Sequence, residues 1–208
     1  MWISRIPVPV EINASAHADD DFSKNKSIAE LTDWNIYSPV WAPVSLEDQW
    51  LKLQDKDPFD YAKVERKIPA SKELKVSFDL KAGQNNKGTL QIEFLDENGI
   101  ACSRIELTDD GIFRLKGGSR FANMMKYEAG KIYHVEAVLS TVDRNIQVYV
   151  DGKRVGLRLF YAPVAAVERI VFRTGVPRTF PTVDTPADQT YDLPNAGAQD
   201  PLAEYGIA

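Results

Sequence analysis

The stretch Lys131–Val155, KIYHVEAVLSTVDRNIQVYVDGKRV, decides the reading of the fold. Tyr133, Val135, Ala137 and Leu139 alternate with His134, Glu136 and Val138, and Ile146, Val148 and Val150 alternate with Gln147, Tyr149 and Asp151. A period of two sends one set of side chains to a core and the other to solvent. The spacing therefore predicts a half-buried antiparallel hairpin, joined by a short polar turn and closed by Asp151-Gly152.

The same pattern recurs on either side. Leu74, Val76, Phe78 and Leu80 share one strand face, and Leu90–Phe94 alternates with Gln91 and Glu93 outward. Between these two strands, Gly83-Gln84-Asn85-Asn86-Lys87-Gly88 is a cluster of turn formers. Further strands are expected at 51–53, 61–68, 102–107, 112–116 and 168–173, with Asn98-Gly99 and Asp110-Gly111 supplying hairpin chemistry. Ser27–Leu31 makes at most one helical turn. Strands at such regular spacing predict an all-β, two-sheet antiparallel sandwich of the jelly-roll type over residues 19–175.

The two ends read differently. Residues 1–18 form a lead-in segment interrupted by Pro7 and Pro9, which fit only an edge or a bulge because proline donates no ladder hydrogen bond. Residues 176–208 carry five prolines with scattered Asp, Ala and Thr. That composition predicts an extended tail, wrapping the sandwich or docking on a neighbour.

Bulk properties narrow the function. With 208 residues, 44% hydrophobic and 10% aromatic, the chain can bury one sizeable core. A net charge of −5 disfavours nucleic acid as a partner, because phosphates demand basic patches. One cysteine, Cys102, and two histidines supply neither a disulfide nor a zinc spacing. No apolar window is long enough to span a membrane, and the N-terminus lacks the apolar run and cleavage site of a secretion signal.

Gly130, Tyr133 and Val135, followed by Tyr149-Val150-Asp151-Gly152-Lys153, resemble the late hairpin of concanavalin A-like (laminin G-like) domains, with Tyr133 where Trp is common. Asp20-Asp21-Phe22 with Trp34 a dozen residues on is similar to the first strand of such domains attached to glycan-degrading enzymes. Ser4-Arg5-Ile6-Pro7-Val8-Pro9-Val10 resembles a segment at the end of the β-propeller in BNR-repeat, sialidase-like proteins of gut Bacteroidetes. Together these imply an accessory module of a longer, secreted glycan-processing protein, periplasmic or at the cell surface, with carbohydrate as partner and a β-propeller upstream.

The resemblance also implies a test for catalysis. Laminarinase-like hydrolases carry Glu-x-Asp-x-x-Glu on the concave sheet, and retaining hydrolysis needs two carboxyl groups about 5 Å apart. Here the comparable stretch is Gln91-Ile92-Glu93-Phe94-Leu95-Asp96. The amide of Gln91 cannot form a glycosyl ester, and Asp96 is one methylene short.

The leading expectation is therefore a noncatalytic carbohydrate-binding or accessory module without a cofactor. Its candidate ligand residues are Asp79, Gln91, Glu93, Arg104, His134, Glu136 and Tyr149, on the premise that their strands share the concave sheet. Trp41, between Pro39 and Pro43, is the most exposed candidate in an aromatic stretch with Trp34, Tyr37 and Trp50, which offers stacking platforms for sugar C–H faces or plugs for the core. A hydrolase or polysaccharide lyase using Glu93, Asp96 or His134 is the second expectation, and a purely structural interdomain module the third. Calcium is the metal to weigh against this, because many jelly rolls carry a calcium loop. Asp19-Asp20-Asp21 and Asp55-Lys56-Asp57-Pro58-Phe59-Asp60 could contribute, but the latter lacks EF-hand spacing and turn-forming aspartates are the simpler reading.

Overall fold

The computed structural model describes residues 18–57, 60–175 and 202–208. Among them are the strands β1 (Trp34–Tyr37), β2 (Val44–Glu47), β3 (Trp50–Asp55), β4 (Lys63–Ser71), β5 (Glu73–Ala82), β6 (Leu90–Leu95) and β7 (Ala101–Leu107). They continue with β8 (Ile112–Gly117), β9 (Arg120–Lys126), β10 (Ile132–Ser140), β11 (Asn145–Val150), β12 (Lys153–Leu159), β13 (Val167–Thr174) and β14 (Ala203–Ile207). Two 3-10 turns, Phe22–Lys24 and Ile28–Glu30, precede them.

The strands form two antiparallel sheets of seven. Sheet A runs β1-β4-β13-β6-β7-β8-β9, and sheet B runs β12-β11-β10-β5-β14-β3-β2. Alternation decides which residues meet between them. Val64, Ile92, Phe94, Ile105, Leu115 and Phe172 point inward from sheet A, against Leu51, Leu53, Leu80, Val135, Leu139, Val148 and Tyr205 from sheet B. Each large apolar side chain so buried contributes about 1.5–3 kcal/mol.

The Lys131–Val155 stretch forms the expected hairpin and more. Val135 faces Val150 and Ser140 faces Asn145 across β10 and β11. Asp151 and Gly152 then adopt φ of 50° and 75° and turn the chain back into β12. That third strand lacks an apolar alternation because it is the edge of sheet B, exposed along most of its length.

The end of the chain departs from the expected tail. Ala203–Ile207 inserts between β3 and β5, so the sandwich expected over 19–175 takes in a strand from much later. Its Ala203, Tyr205 and Ile207 face the core. This alternation was hidden in a composition averaged over the proline-rich stretch before it. Gly88 makes the seat, at φ +68°, since a Cβ there would lie 2.4 Å from that of Ala203. Residues 1–17, Pro58, Phe59 and 176–201, with the Ser4–Val10 segment among them, lie outside the described residues.

Candidate binding face

The outer face of sheet A carries two unbroken rows of side chains across all seven strands. One row runs Tyr37, Lys63, Arg173, Gln91, Glu106, Arg114, Asn123, each facing the next in register. The neighbouring row runs Asn35, Glu65, Val171, Glu93, Arg104, Lys116, Phe121. Strands about 4.8 Å apart make each row about 29 Å long. With Lys67 and Arg169 beside them, the described strand residues of the face supply seven cations, Lys63, Lys67, Arg104, Arg114, Lys116, Arg169 and Arg173, against three carboxylates, Glu65, Glu93 and Glu106, while Asp60 accepts from the Tyr37 hydroxyl at 3.2 Å.

All three carboxylates are bridged. Glu65 meets Lys63 at 2.9 Å and Arg169 at 3.5 Å, Glu93 takes Arg104 Nε at 2.7 Å, and Glu106 accepts two bonds from Arg114 at 2.9 and 2.7 Å. The bond to Glu106 holds the Arg114 guanidinium further toward its charged form. These pairs cover one another so closely that Glu65, Gln91 and Glu106 are buried although they point outward. Gln91 Oε1 has no hydrogen-bond partner there.

Aromatic rings flank the rows. At one side Tyr37 and Tyr61 lie 5.2 Å apart, with the Arg173 guanidinium 3.9 Å above the Tyr61 ring. At the other, Arg114 sits 4.3 Å over Phe121, and Lys116 lies 5.0 Å from Phe121 and 5.1 Å from Tyr161. Tyr161 comes from the segment joining β12 to β13, pinned where its N–H reaches the Cys102 carbonyl at 3.0 Å. Burial pushes both the Tyr161 hydroxyl and the Cys102 thiol up to about 12.

The expected ligand residues do not share one sheet, which corrects the premise that joined them. Gln91, Glu93 and Arg104 meet on the outer face of sheet A, whereas Asp79, His134, Glu136 and Tyr149 occupy that of sheet B. There His134 Nδ1 is 2.8 Å from Asp79 Oδ1, Glu136 takes Lys75 Nζ at 2.7 Å, and Tyr149 donates to Gln147 at 3.1 Å. Asp96 caps the β6–β7 turn, accepting from the N–H groups of Asn98 and Ile100. Glu93, Asp96 and His134 thus have three separate settings.

The aromatic stretch also disperses. Trp34 packs toward Phe22 and Phe172 in the core, Tyr37 joins the sheet A row, and Trp50 lies over Gly206 on sheet B. Trp41 is 45% exposed between β1 and β2. Asp21 caps a 3-10 turn and Asp20 binds Arg66 at 2.8 Å, while Asp55, Asp57 and Asp60 accept backbone N–H groups. Among the described residues no three His, Cys, Asp or Glu side chains gather as a metal site.

The basic residues of this face escape a linear reading because they come from four strands, β4, β7, β8 and β13. Lys63-x-Glu65-x-Lys67, Arg104-x-Glu106, Arg114-x-Lys116 and Arg169-x-x-x-Arg173 all place charge at every second or fourth residue. That periodicity was the available signal.

Known proteins share this architecture. A structure described as "Sialidase" is 87% identical, with a TM-score of 0.90, covering 98% of this chain; the chain spans 19% of that one. The apo Crh5 transglycosylase is 11% identical at a TM-score of 0.67, covering 93% of this chain and 82% of the other. A structure described by endo-acting O-glycanases of the human gut microbiota that initiate mucin breakdown is 12% identical at 0.59, with 90% and 94% covered. These two share the fold, the two-sheet sandwich of concanavalin A-like proteins. No curated protein matches the chain. Residues 34–189 match the family described as "Sialidase-like, CBM domain", and the chain belongs to that family.

Proposed function

We propose that this chain is a noncatalytic carbohydrate-binding module that holds a glycan along the outer face of sheet A. The observation that carries the reading is the pair of charged and amide rows flanked by rings. Sugars offer hydroxyls to charged and amide groups and C–H faces to aromatic rings, and this face supplies both.

Membership of the sialidase-like CBM family supports a setting within a larger glycan-processing protein, periplasmic or extracellular. No described helix is long and apolar enough to cross a membrane. The Ser4–Val10 resemblance supports a β-propeller elsewhere in that protein. A glycan array followed by titration calorimetry tests the binding face. Arg114→Ala combined with Phe121→Ala is expected to weaken binding at least tenfold, with His134→Ala unchanged. Loss in His134→Ala alone would move the site to sheet B.

Exposed Val40 and Trp41 favour a second role, bracing a neighbouring domain. Trp41→Ala would then lower the stability of the full-length protein and leave the isolated module unchanged. Catalysis by Glu93 predicts turnover that Glu93→Gln abolishes; a binding module changes only in affinity.

A further inference from the structure

We infer that the ligand of sheet A's outer face is an acidic sugar, whose carboxylate or sulfate sits between Arg104 and Lys116; this rests on the binding reading above. One arrangement on this face opposes folding. Directly opposed like charges destabilise a strand pair. Three such pairs share this face: Lys63 with Arg173, Lys67 with Arg169, and Arg104 with Lys116. Among the described pairs of sheet B no two cations face each other.

Local carboxylates relieve the first two pairs through Glu65, which bridges Lys63 and Arg169. The third is left with an excess. Glu93 is held by Arg104, whereas Lys116 has no carboxylate among the described residues and rests on the rings of Phe121 and Tyr161. One positive charge at this step is therefore uncompensated. An anion placed there meets Lys116 and the adjoining guanidinium, and the same two rings present apolar faces to the sugar carrying it.

Carboxylate and sulfate share this chemistry, and only experiment separates them. Titration calorimetry on the whole chain would compare a glucuronate-bearing oligosaccharide and a sulfated one with their carboxyl-reduced and desulfated counterparts. We expect at least one acidic ligand to bind ten times or more tightly than its neutral counterpart, and to weaken as salt rises from about 50 to about 500 mM. Lys116→Gln should remove most of that preference, and Lys81→Gln on sheet B should keep it. Lys116→Gln should also raise the thermal midpoint of the unliganded protein, by relieving the repulsion with Arg104.

Equal binding of acidic and neutral ligands, or a preference that survives Lys116→Gln, would overturn the inference while leaving the binding face standing. Binding of neutral glycans that Arg114→Ala with Phe121→Ala does not weaken would overturn the face as well. No binding by any glycan would remove both.

Discussion

The two outer faces of this sandwich are made from the same alternating strand and treat charge in opposite ways. On sheet B, the pairs Lys75 with Glu136 and Lys52 with Glu47 stand partly in solvent, opposite in sign and separate from one another. Surface pairs of this kind contribute little. On sheet A, the ions form a lattice so dense that Glu65 and Glu106 are less than a tenth exposed, with cations in surplus. Buried ion pairs are costly to desolvate and poor sources of stability, so a face built from them reads as a surface shaped for a ligand.

The largest expected effect comes from the chain end. Truncation before Ala203 removes β14 and separates β3 and β2 from β5 in sheet B, while every pairing in sheet A is kept. The variant should lose its cooperative unfolding transition by circular dichroism. A transition like that of the full chain would show that sheet B does not depend on this strand.

Next comes Glu65→Ala, which leaves Lys63 and Arg169 without their carboxylate beside Lys67 and Arg173. Breaking a bridge this buried should cost about 3 kcal/mol in urea unfolding. A cost no larger than that of a sheet B pair would erase the contrast between the faces.

Alkali should act next. The Cys102 thiol is raised from 9.0 to about 12 by burial, so the folded chain keeps a proton that the unfolded chain loses. Its contribution is complete below about pH 9 and fades as pH rises toward about 12. Denaturation midpoints should therefore fall across that window, and Cys102 should resist alkylation at pH 8 until the protein unfolds. Rapid labelling of the native chain would show the covering Tyr161 segment to be open. The smallest effect belongs to Lys75→Ala, expected to shift stability by no more than about 0.5 kcal/mol.

Much of the fold was legible in the sequence, for a physical reason. Strands with a buried face, such as β5, β6, β10 and β11, carry period two in their apolar residues. Edge strands carry it weakly, which is why β1 and β12 escape notice, and β14 is too short to stand out from its surroundings. The candidate face was harder to see. Gln91, Glu93 and Arg104 are neighbours because β6 pairs β7, but Arg114, Lys116 and Arg173 join them only through the order of sheet A. Alternation tells which residues leave the core, whereas strand order decides which sheet receives them. His134 and Glu93 look equivalent along the chain and lie on opposite sides of the molecule.

Backbone chemical shifts recorded while an acidic oligosaccharide is titrated in report which outer face takes the ligand. Binding on sheet A is expected to perturb Gln91–Leu95, Arg104–Leu107, Arg114–Gly117 and the surroundings of Tyr161, with β10 and β11 unmoved. Perturbations confined to His134, Glu136 and Tyr149 on sheet B would contradict it.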